Sequence, residues 1–184
     1  MIKGWLKNIF KPEKFPDQLQ YIVDRDVIEF TEKILLDYGQ KKPSNEGLVY
    51  WCGKKDKSRI YINSVIAPKA DSYESRVSTN YESNARFVRE LSKNKIIQIG
   101  QVHSHPGEWV GHSQGDDEWA AFKVKGLLSI VVPSYAEAGM LPLHKCGIHR
   151  FDDNKFIRLS DKYVKKRFKI VNNASHILID LRNG

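Results

Sequence analysis

The stretch of residues 96–106, IIQIGQVHSHP, constrains the fold of this chain more than any other. Its first part is apolar and rich in β-branched residues, which favours a buried strand. Pro106 cannot donate a hydrogen bond to a sheet ladder, so the strand is expected to end there. Because alternate side chains of a strand point to the same face, His103 and His105 are predicted to face the same way at its end.

A helix is predicted to begin shortly after this strand, with Ser113 as its N-cap. The glycine-containing loop of residues 107–112 leads to this serine, and the helix is expected to continue to about Lys125. Asp116 lies three residues after Ser113, on the first turn, where its carboxylate can meet the two imidazoles. Two histidine nitrogens and one carboxylate oxygen, with a fourth position left for water, are typical of a catalytic zinc site.

The pattern as a whole is more specific than its parts. Ser-x-x-Asp alone is usually a capping arrangement, and a single histidine at a strand end is usually a surface residue. Here His-x-His-Pro is followed by six residues and then by Ser-x-x-Asp. This pattern resembles the motif of the JAMM metallopeptidase family, also called the JAB-domain or MPN+ family, whose best-known members are deubiquitinases. The resemblance extends over about residues 21–159 and implies one Zn²⁺ per chain, held by His103, His105 and Asp116.

The same resemblance implies two catalytic residues, Glu46 and Ser113. In the family, a glutamate at the head of an early strand is the general base, and the segment EGLVYWCG beginning at Glu46 fits that pattern. Glu46 would take a proton from water and return it to the leaving amine, and Ser113 would donate to the oxyanion. Without the resemblance, a single glutamate before a strand is more often a surface residue. Asp117 and Glu118 compete with Asp116 as third ligand, but the family spacing selects Asp116.

Three further aromatic side chains lie close to the motif. His112 can line a substrate channel, although a solvent-facing imidazole is the simpler interpretation. Trp109 and Trp119 can flank a groove for an extended peptide, or they can simply pack.

Length and composition are those of a single globular domain. The chain has 184 residues, of which 41% are hydrophobic and 28% charged, so it is neither disordered nor membranous in composition. No apolar run approaches the roughly 20 residues that cross a bilayer, and no secretory signal is recognisable. Cys52 and Cys146 are too few for a disulfide scaffold, so a reducing cytoplasm is the simplest assignment. The formal charge of +8 favours acidic partners of any kind.

The expected fold class is α/β of the α+β type. The resemblance implies a single mixed, mainly antiparallel sheet that curls around, and is flanked by, helices, an architecture similar to that of cytidine deaminases. Three parts are predicted: a basic amphipathic extension (residues 1–20), the catalytic domain (21–160) and a basic C-terminal extension packing on it (161–184). Periodicity and turn residues predict a helix at 26–38 that Gly39 ends and a helix at 79–93 that Thr79 caps. They also predict strands at 46–53, 59–66, 127–132, 143–151, 155–159 and 176–181, a loop at 68–78, and either a helix or an edge strand at 161–171.

Short connections around the catalytic groove make the chain similar to the compact bacterial JAB-domain peptidases. Several of those are encoded with ubiquitin-like, E1-like and E2-like proteins in antiphage-defence operons. The resemblance therefore implies a zinc isopeptidase that cleaves after the C-terminal glycine of a ubiquitin-like protein, either from its conjugates or from its precursor. Loops at 68–78 and 133–143 are expected to grip the extended tail by added-strand pairing.

Three other functions stay open at this stage. One is a JAB hydrolase that acts on a sulfur-carrier protein or a small aminoacyl substrate. Another is a non-catalytic JAB module, although the complete set of candidate site residues speaks against it. The third is a DNA-associated JAB domain, which the positive charge permits but does not require.

Overall fold

The structure is a computed structural model that describes residues 18–41, 44–73, 76–173 and 175–183. Most of the expected N-terminal extension, residues 1–20, lies outside these residues, so its amphipathic character stays a prediction. The same holds for the proposed division of the chain into a catalytic domain and two extensions.

Nine of the described strands form one mixed, strongly curled sheet, and helices flank it, which confirms the expected α+β class. Four of the eight pairings in this sheet are parallel, so it is not mainly antiparallel as expected. Across the sheet the order is β10 (Phe168–Val171), β1 (Gln20–Asp24), β3 (Arg59–Ala67), β2 (Leu48–Asp56), β6 (Ile97–Ser104), β7 (Leu128–Val132), β8 (Gly147–Asp152) and β9 (Lys155–Arg158), with β11 (Ile177–Asp180) also beside β3. Parallel pairing joins β1 to β3 and to β10, β6 to β7, and β11 to β3; the other neighbours in the sheet are antiparallel.

Two strands share one edge of β3. β1 pairs with residues 59–62 and β11 with residues 64–67, so the two strands follow one another along the same edge. The residue between these stretches, Asn63, is also skipped in the pairing of β3 with β2, where a bulge shifts the register at Gly53. A Cβ on Gly53 would lie 1.8 Å from the carbonyl oxygen of Tyr61, so the bulge requires glycine there.

Helix α1 (Arg25–Lys41) covers one face of the sheet with a buried apolar stripe. It continues past Gly39, which was expected to stop it, because this glycine serves packing instead. A Cβ at Gly39 would lie 2.6 Å from Cγ of Tyr135, so only glycine lets this aromatic ring approach the helix so closely. The buried residues of the stripe are Val27, Ile28, Thr31, Ile34 and Leu35.

Helix α2 (Tyr81–Asn94) lies on the opposite face, and its cap differs from the predicted one. The N-cap is Asn80 rather than Thr79, and its side chain accepts a hydrogen bond from the Ser83 backbone N–H at 2.9 Å. Thr79 donates to Asn84 Oδ1 instead. Asparagine is as good an N-cap as threonine or better, so the competition between adjacent polar residues decided this boundary.

The helix after Ser113 is shorter than expected. α3 (Gln114–Trp119) ends at Ala120, whose ψ of 118° is not helical, whereas the prediction extended to about Lys125. Leaving the helix lets Phe122 pack against the rings of Tyr50 and Phe87, at centroid distances of 6.0 and 5.8 Å. Tertiary burial of one aromatic ring therefore outweighs the helical propensity of this segment.

Three other segments also differ from expectation. The predicted loop at 68–78 contains a small hairpin, β4 (Asp71–Tyr73) and β5 (Arg76–Ser78). The basic segment 161–171 is not one element but two, since helix α4 (Asp161–Arg167) is followed directly by strand β10. The predicted strand at 143–151 begins only at Gly147, after a short 3₁₀ turn at Leu143–Lys145.

Strand β2 is buried on both faces and so divides the core in two. Val49 and Trp51 point into the larger cluster beneath α1, and Tyr50 and Cys52 point into a smaller one beneath α2. Cys52 and Cys146 are both buried and free. No helix in the described part of the chain is both long and apolar enough to cross a membrane.

Candidate metal centre

The two histidines of the motif lie at the carboxyl end of β6. His103 pairs with Leu48 on β2 and with Val131 on β7, so the strand beneath it is central and firmly held. His105 lies just beyond the strand end, where its backbone N–H donates to the carbonyl of Val132 at 2.9 Å. The two imidazole centroids are 5.2 Å apart, so both rings face the same side of the sheet.

A capping box at the start of α3 brings the carboxylate of Asp116 to these rings. Ser113 Oγ accepts a hydrogen bond from the Asp116 backbone N–H at 3.0 Å, and Asp116 Oδ2 accepts one from the Ser113 N–H at 2.7 Å. The cap therefore orients the carboxylate as well as starting the helix. Asp116 Oδ1 lies 3.2 Å from His103 Nε2, and Oδ2 lies 3.5 Å from His105 Nε2.

These distances fit a metal ion. Ligands about 2.0–2.1 Å from a tetrahedral Zn²⁺ are separated from one another by about 3.3 Å. One ligand atom from each of His103, His105 and Asp116 lies within 4.8 Å of the others, and all three residues are buried. Moreover, His103 Nε2 is buried and has no hydrogen-bond partner among the described residues, because its approach to the carboxylate has poor hydrogen-bond geometry. Buried polar atoms normally have a partner, and a metal ion bound here would be the partner of this nitrogen.

The loop after His105 prepares this histidine to be a ligand. Its Nδ1 lies 2.8 Å from the backbone carbonyl oxygen of Trp109, and since a carbonyl can only accept, Nδ1 carries the hydrogen. Nε2 then keeps its lone pair for a metal, as is usual for metal-binding histidines. The Trp109 indole stacks on the imidazole at a centroid distance of 5.3 Å and is 58% exposed, so it forms an outer wall of the site.

A turn in an unfavourable backbone conformation supports this loop. Three consecutive non-glycine residues, Ser134, Tyr135 and Ala136, have positive φ angles of 44°, 51° and 65°. The Ser134 N–H donates to the carbonyl of Gly107 at 3.1 Å, and the Ser134 hydroxyl donates to Glu108 Oε1 at 2.6 Å. A non-glycine residue in the left-handed conformation costs about 1–2 kcal/mol, so the turn that makes these loop contacts lowers the free energy of unfolding.

In the metal-free centre, the carboxylate of Asp116 interacts electrostatically with the imidazoles of His103 and His105. Burial raises the pKa of Asp116, but the adjacent imidazoles of His103 and His105 outweigh it and hold that pKa well below its usual range. For His105, burial lowers the pKa, but Asp116 and the Trp109 carbonyl outweigh burial and raise it. A cation that binds here must therefore displace a proton, which makes its affinity pH-dependent.

Glu46 lies beside this centre, at the head of β2. It is buried, and the adjacent Gly47 N–H donates to Ser104 Oγ on β6 at 2.9 Å. Its Oε1 lies 3.9 Å from His105 Nε2, and its Oε2 has no hydrogen-bond partner among the described residues. Burial raises the pKa of Glu46 to about 7, with the charge of Asp116 adding to the shift and those of His103 and His105 opposing it. A carboxyl that titrates near neutrality suits proton transfer.

Ser113 also borders the centre. Its hydroxyl oxygen accepts the capping hydrogen bond, so the hydroxyl hydrogen is still available to donate. Together with Glu46, His105 and Trp109 it lines an open cleft of about 290 Å³. The structure thus brings all five predicted site residues, Glu46, His103, His105, Ser113 and Asp116, to one location.

His112 is held in a polar network, contrary to its interpretation as solvent-facing. Its side chain is only 5% exposed, with Nδ1 2.9 Å from Asp117 Oδ1 and Nε2 2.8 Å from Ser129 Oγ. Gln101 donates to the same Ser129 oxygen at 3.2 Å, and the ring of His149 lies 5.0 Å from that of His112. Asp117, a rival for the third ligand, instead binds this imidazole.

Sequence reasoning missed this network, although one signal was present. Ser129 is the polar residue in the otherwise apolar strand LSIVV, and a buried hydroxyl requires a partner. Burial, followed by the charge of His103, lowers the pKa of His112 to about 4. Burial, followed by the charge of His112, lowers the pKa of His149 to about 4 as well. The side chain of Trp119 lies outside the described part of the structure, so its predicted place beside a groove stays a prediction.

Comparison with known proteins supports a metalloenzyme. No protein-family model matches the sequence. The chain is 29% identical, over 116 residues, to a protein of Sinorhizobium fredii named "Probable metalloprotease y4jG"; the match covers 61% of this chain and 70% of that protein. In structure it is similar to the solution structure of protein DSY2949 from Desulfitobacterium hafniense, with a TM-score of 0.58 and 20% identity, over 83% of this chain and 94% of that one. The second likeness concerns the fold alone. The first relates this chain to a probable metalloprotease, which agrees with a buried group, His103, His105 and Asp116, that could hold a metal ion.

Proposed function

We propose that this protein is a zinc-dependent peptidase of the JAMM type, an isopeptidase that hydrolyses the amide bond after the C-terminal glycine of a ubiquitin-like protein. The observation that carries the proposal is the arrangement of a carboxylate, Glu46, and a hydroxyl, Ser113, around one cleft beside a three-residue metal centre. The likeness to a protein named as a probable metalloprotease supports the first half of the proposal, the metallopeptidase. The substrate half rests on the motif and on the surroundings of the cleft.

The metal centre has the donor set for the required chemistry. His103, His105 and Asp116 would hold the ion, and three protein ligands leave a coordination position open, as catalytic zinc sites require. When bound, Zn²⁺ supplies Lewis-acid chemistry, because it acidifies water and polarises a carbonyl. Its positive charge would also lower the pKa of Glu46 from the value near 7 of the metal-free site, which keeps this carboxylate ionised at neutral pH.

Protein side chains carry out the remaining steps. Glu46, which borders the cleft and has one oxygen without a partner, takes the proton of the attacking water and returns it to the leaving amine. Ser113 donates its free hydroxyl hydrogen to the oxygen that becomes negative as the carbonyl is attacked. No covalent bond to the enzyme is formed, so the reaction is a direct hydrolysis of an amide.

The hairpin of β4 and β5 supports an extended protein tail as the substrate. Ser72 on β4 donates its hydroxyl to the carbonyl of Glu46, and β5 packs on α3, the helix that carries Asp116. Within the described residues β5 pairs only with β4, so its other edge can accept an added strand that ends at the cleft.

The expected partners are therefore a ubiquitin-like protein and its conjugates, together with the E1-like and E2-like enzymes that attach it. A role in a bacterial antiphage-defence pathway is part of this proposal and rests on the resemblance to compact JAB-domain peptidases. Nucleic acid is not required for the reaction.

The direct test uses the zinc-loaded protein and a ubiquitin-like protein fused through its C-terminal glycine to a reporter. Wild type should release the reporter; Glu46→Gln should keep about one zinc in this centre and release none, because it lacks the base. Asp116→Asn should lose both the zinc of this centre and activity. Glu118→Gln, a neighbouring exposed carboxylate on α3, should retain both and is the matched control. Normal turnover by Glu46→Gln would remove Glu46 from the mechanism.

A second outcome would narrow the substrate. Release of a small aminoacyl reporter, without cleavage of the protein fusion, would favour the alternative of a JAB hydrolase for small substrates. No cleavage of either substrate, with zinc shown to be present, would leave a binding module.

A further inference from the structure

A second group of metal-ligand side chains lies at the edge of the sheet, where β1 and β11 follow one another along β3. β1 ends at Asp24, and β11 begins at Ile177, directly after His176. Asn63 of β3 lies between the two pairing stretches, and its side-chain amide donates to the carbonyl of Ser175 at 3.4 Å. Strands β3 and β2 separate β1 from β6, so this location is distinct from the centre described above.

Three side chains converge at this junction from three segments. Asp24 ends β1, Asp26 lies in the first turn of α1, and His176 precedes β11. Each offers one ligand atom, and these atoms lie within 4.8 Å of one another. His176 Nδ1 is 2.8 Å from Asp26 Oδ2, so the imidazole and this carboxylate already face each other.

One carboxylate oxygen of Asp24 has no partner in the described part of the chain, and a bound cation would provide one. The residue is 1% exposed, and its Oδ1 accepts a hydrogen bond from the Asp26 backbone N–H at 3.2 Å. Its Oδ2 is buried and has no hydrogen-bond partner among the described residues. Within the part of the chain that the structure describes, His176 is the only side chain that forms an ion pair with either carboxylate, and no lysine or arginine does. Two adjacent carboxylates, one of them out of water, are unfavourable without a compensating positive charge.

A helix N-terminus explains only part of this arrangement. Carboxylates near the first turn of α1 are favoured by the unpaired backbone N–H groups there, which accounts for Asp26 and for Oδ1 of Asp24. It accounts neither for the buried Oδ2 nor for an imidazole brought in from a distant part of the chain.

We propose that Asp24, Asp26 and His176 form a second divalent-cation site, which ties the C-terminal strand β11 to β1 and α1. One imidazole nitrogen and two carboxylate oxygens form a donor set that suits Zn²⁺ or Mn²⁺. The contact between His176 and Asp26 must open by about half an ångström to reach the separation of about 3.3 Å that tetrahedral zinc ligands have. His176 and Asp26 are partly exposed, so water can complete the coordination. The site is structural, because it joins segments distant in sequence and lies away from the cleft.

Metal content tests this site without reference to hydrolysis. The full-length protein is stripped with a chelator, dialysed against Zn²⁺ and analysed for zinc per chain. Asp116→Asn, which removes the first centre, should retain about one zinc, and adding His176→Gln or Asp26→Asn to it should reduce this to near zero. Glu29→Gln, an exposed carboxylate on the same helix, is the matched control and should leave the content unchanged. A first centre that proved to bind no zinc or to be inactive would not alter this comparison.

Thermal unfolding gives an independent readout. Zn²⁺ should raise the melting temperature of Asp116→Asn by several degrees, because a ligand that binds only the folded state stabilises it. The same addition should have no effect on Asp116→Asn/His176→Gln. Asp116→Asn/Asp24→Asn should unfold at a higher temperature than Asp116→Asn without metal, since it lacks a buried charge, yet should not respond to Zn²⁺.

The opposite results would overturn the site. If Asp116→Asn binds no zinc, and zinc leaves its melting temperature unchanged, the three residues form only a salt bridge and a helix cap. If His176→Gln has no effect on the zinc content of Asp116→Asn, the retained ion lies elsewhere.

Discussion

The imidazole of His105 donates a hydrogen bond from Nδ1 to the backbone carbonyl oxygen of Trp109, at 2.8 Å. This contact determines which nitrogen of His105 is free to bind a metal, so the ligand depends on the path of the loop that follows it. The loop in turn rests on β8, where the carbonyl oxygen of Val110 lies 1.8 Å from the position that a Cβ of Gly147 would occupy. Gly147 on β8 thereby determines which nitrogen of His105, just beyond the end of β6, can bind a metal.

Gly147→Ala is therefore expected to weaken metal binding. The added methyl group must push Val110, and with it the Trp109 carbonyl, away from β8, so Nδ1 of His105 loses its acceptor. Removing the hydrogen-bond partner of a metal-binding histidine typically lowers the metal affinity about 10- to 100-fold. Competitive titration with a chromogenic zinc chelator measures the change. Gly107→Ala, in the same loop but with nothing within 4 Å of its added Cβ, should bind zinc as wild type does; equal losses in both variants would contradict this role of Gly147.

Much of this centre could be predicted because its information is local. Strand alternation places His103 and His105 on one face, and the spacing of Ser113 and Asp116 is that of a capping box, which is what the structure contains. Both patterns depend on neighbours within a few residues. The length of α3 could not be predicted, because Phe122 leaves the helix to pack against Tyr50 and Phe87, which are distant in sequence.

Other features depend on contacts that no local pattern encodes. Gly39 normally signals a helix end, but here it continues α1 to accommodate the ring of Tyr135. The burial of His112 likewise depends on Ser129 and Asp117, which reach it from a different strand and from α3. The hairpin of β4 and β5 lies in a polar stretch whose strands are three residues each, too short for a periodic signal.

Glu46 makes the stability of the metal-free protein depend on pH. Its folded-state pKa of about 7 exceeds the ordinary value of 4.5, so between these pH values the folded state binds more protons than the unfolded state. Stability from this group is therefore present below pH 4.5 and is lost as the pH rises to 7. Glu46→Gln has no buried carboxyl to ionise. It should therefore be more stable than wild type at pH 8, by at most about 3 kcal/mol, and similar to it at pH 4. Urea unfolding in the presence of a chelator measures both values, and an equal difference at the two pH values would refute the assignment.

His112 and His149 should make the stability of the metal-free protein depend on pH in the opposite direction. Burial lowers both pKa values to about 4, below the ordinary 6.5, so the unfolded state takes up protons first on acidification. Stability from these groups is present above pH 6.5 and is lost as the pH falls toward 4. Replacing one of them, as in His149→Gln, should reduce the loss of stability between pH 7 and pH 4.5 by about 2 kcal/mol. The measurement is urea unfolding of the metal-free protein at both pH values, with His144→Gln, outside this network, as the control; an unchanged pH dependence in His149→Gln would count against the buried neutral pair.

Ser113 has two separable roles, as a helix cap and as a hydrogen-bond donor in the cleft. Ser113→Ala removes the acceptor for the Asp116 N–H and should cost about 1 kcal/mol in the free energy of unfolding. Ser160 caps α4 in the same manner, accepting from the Tyr163 N–H at 3.2 Å, so Ser160→Ala should cost a similar amount. Only Ser113→Ala should also lower kcat, by about 10²- to 10³-fold with zinc retained, because it alone removes a donor to the developing oxyanion. Urea unfolding, zinc content and steady-state kinetics of the two variants separate these roles. Equal stability losses with kcat unchanged in both would leave Ser113 with capping alone and would require another donor in the cleft.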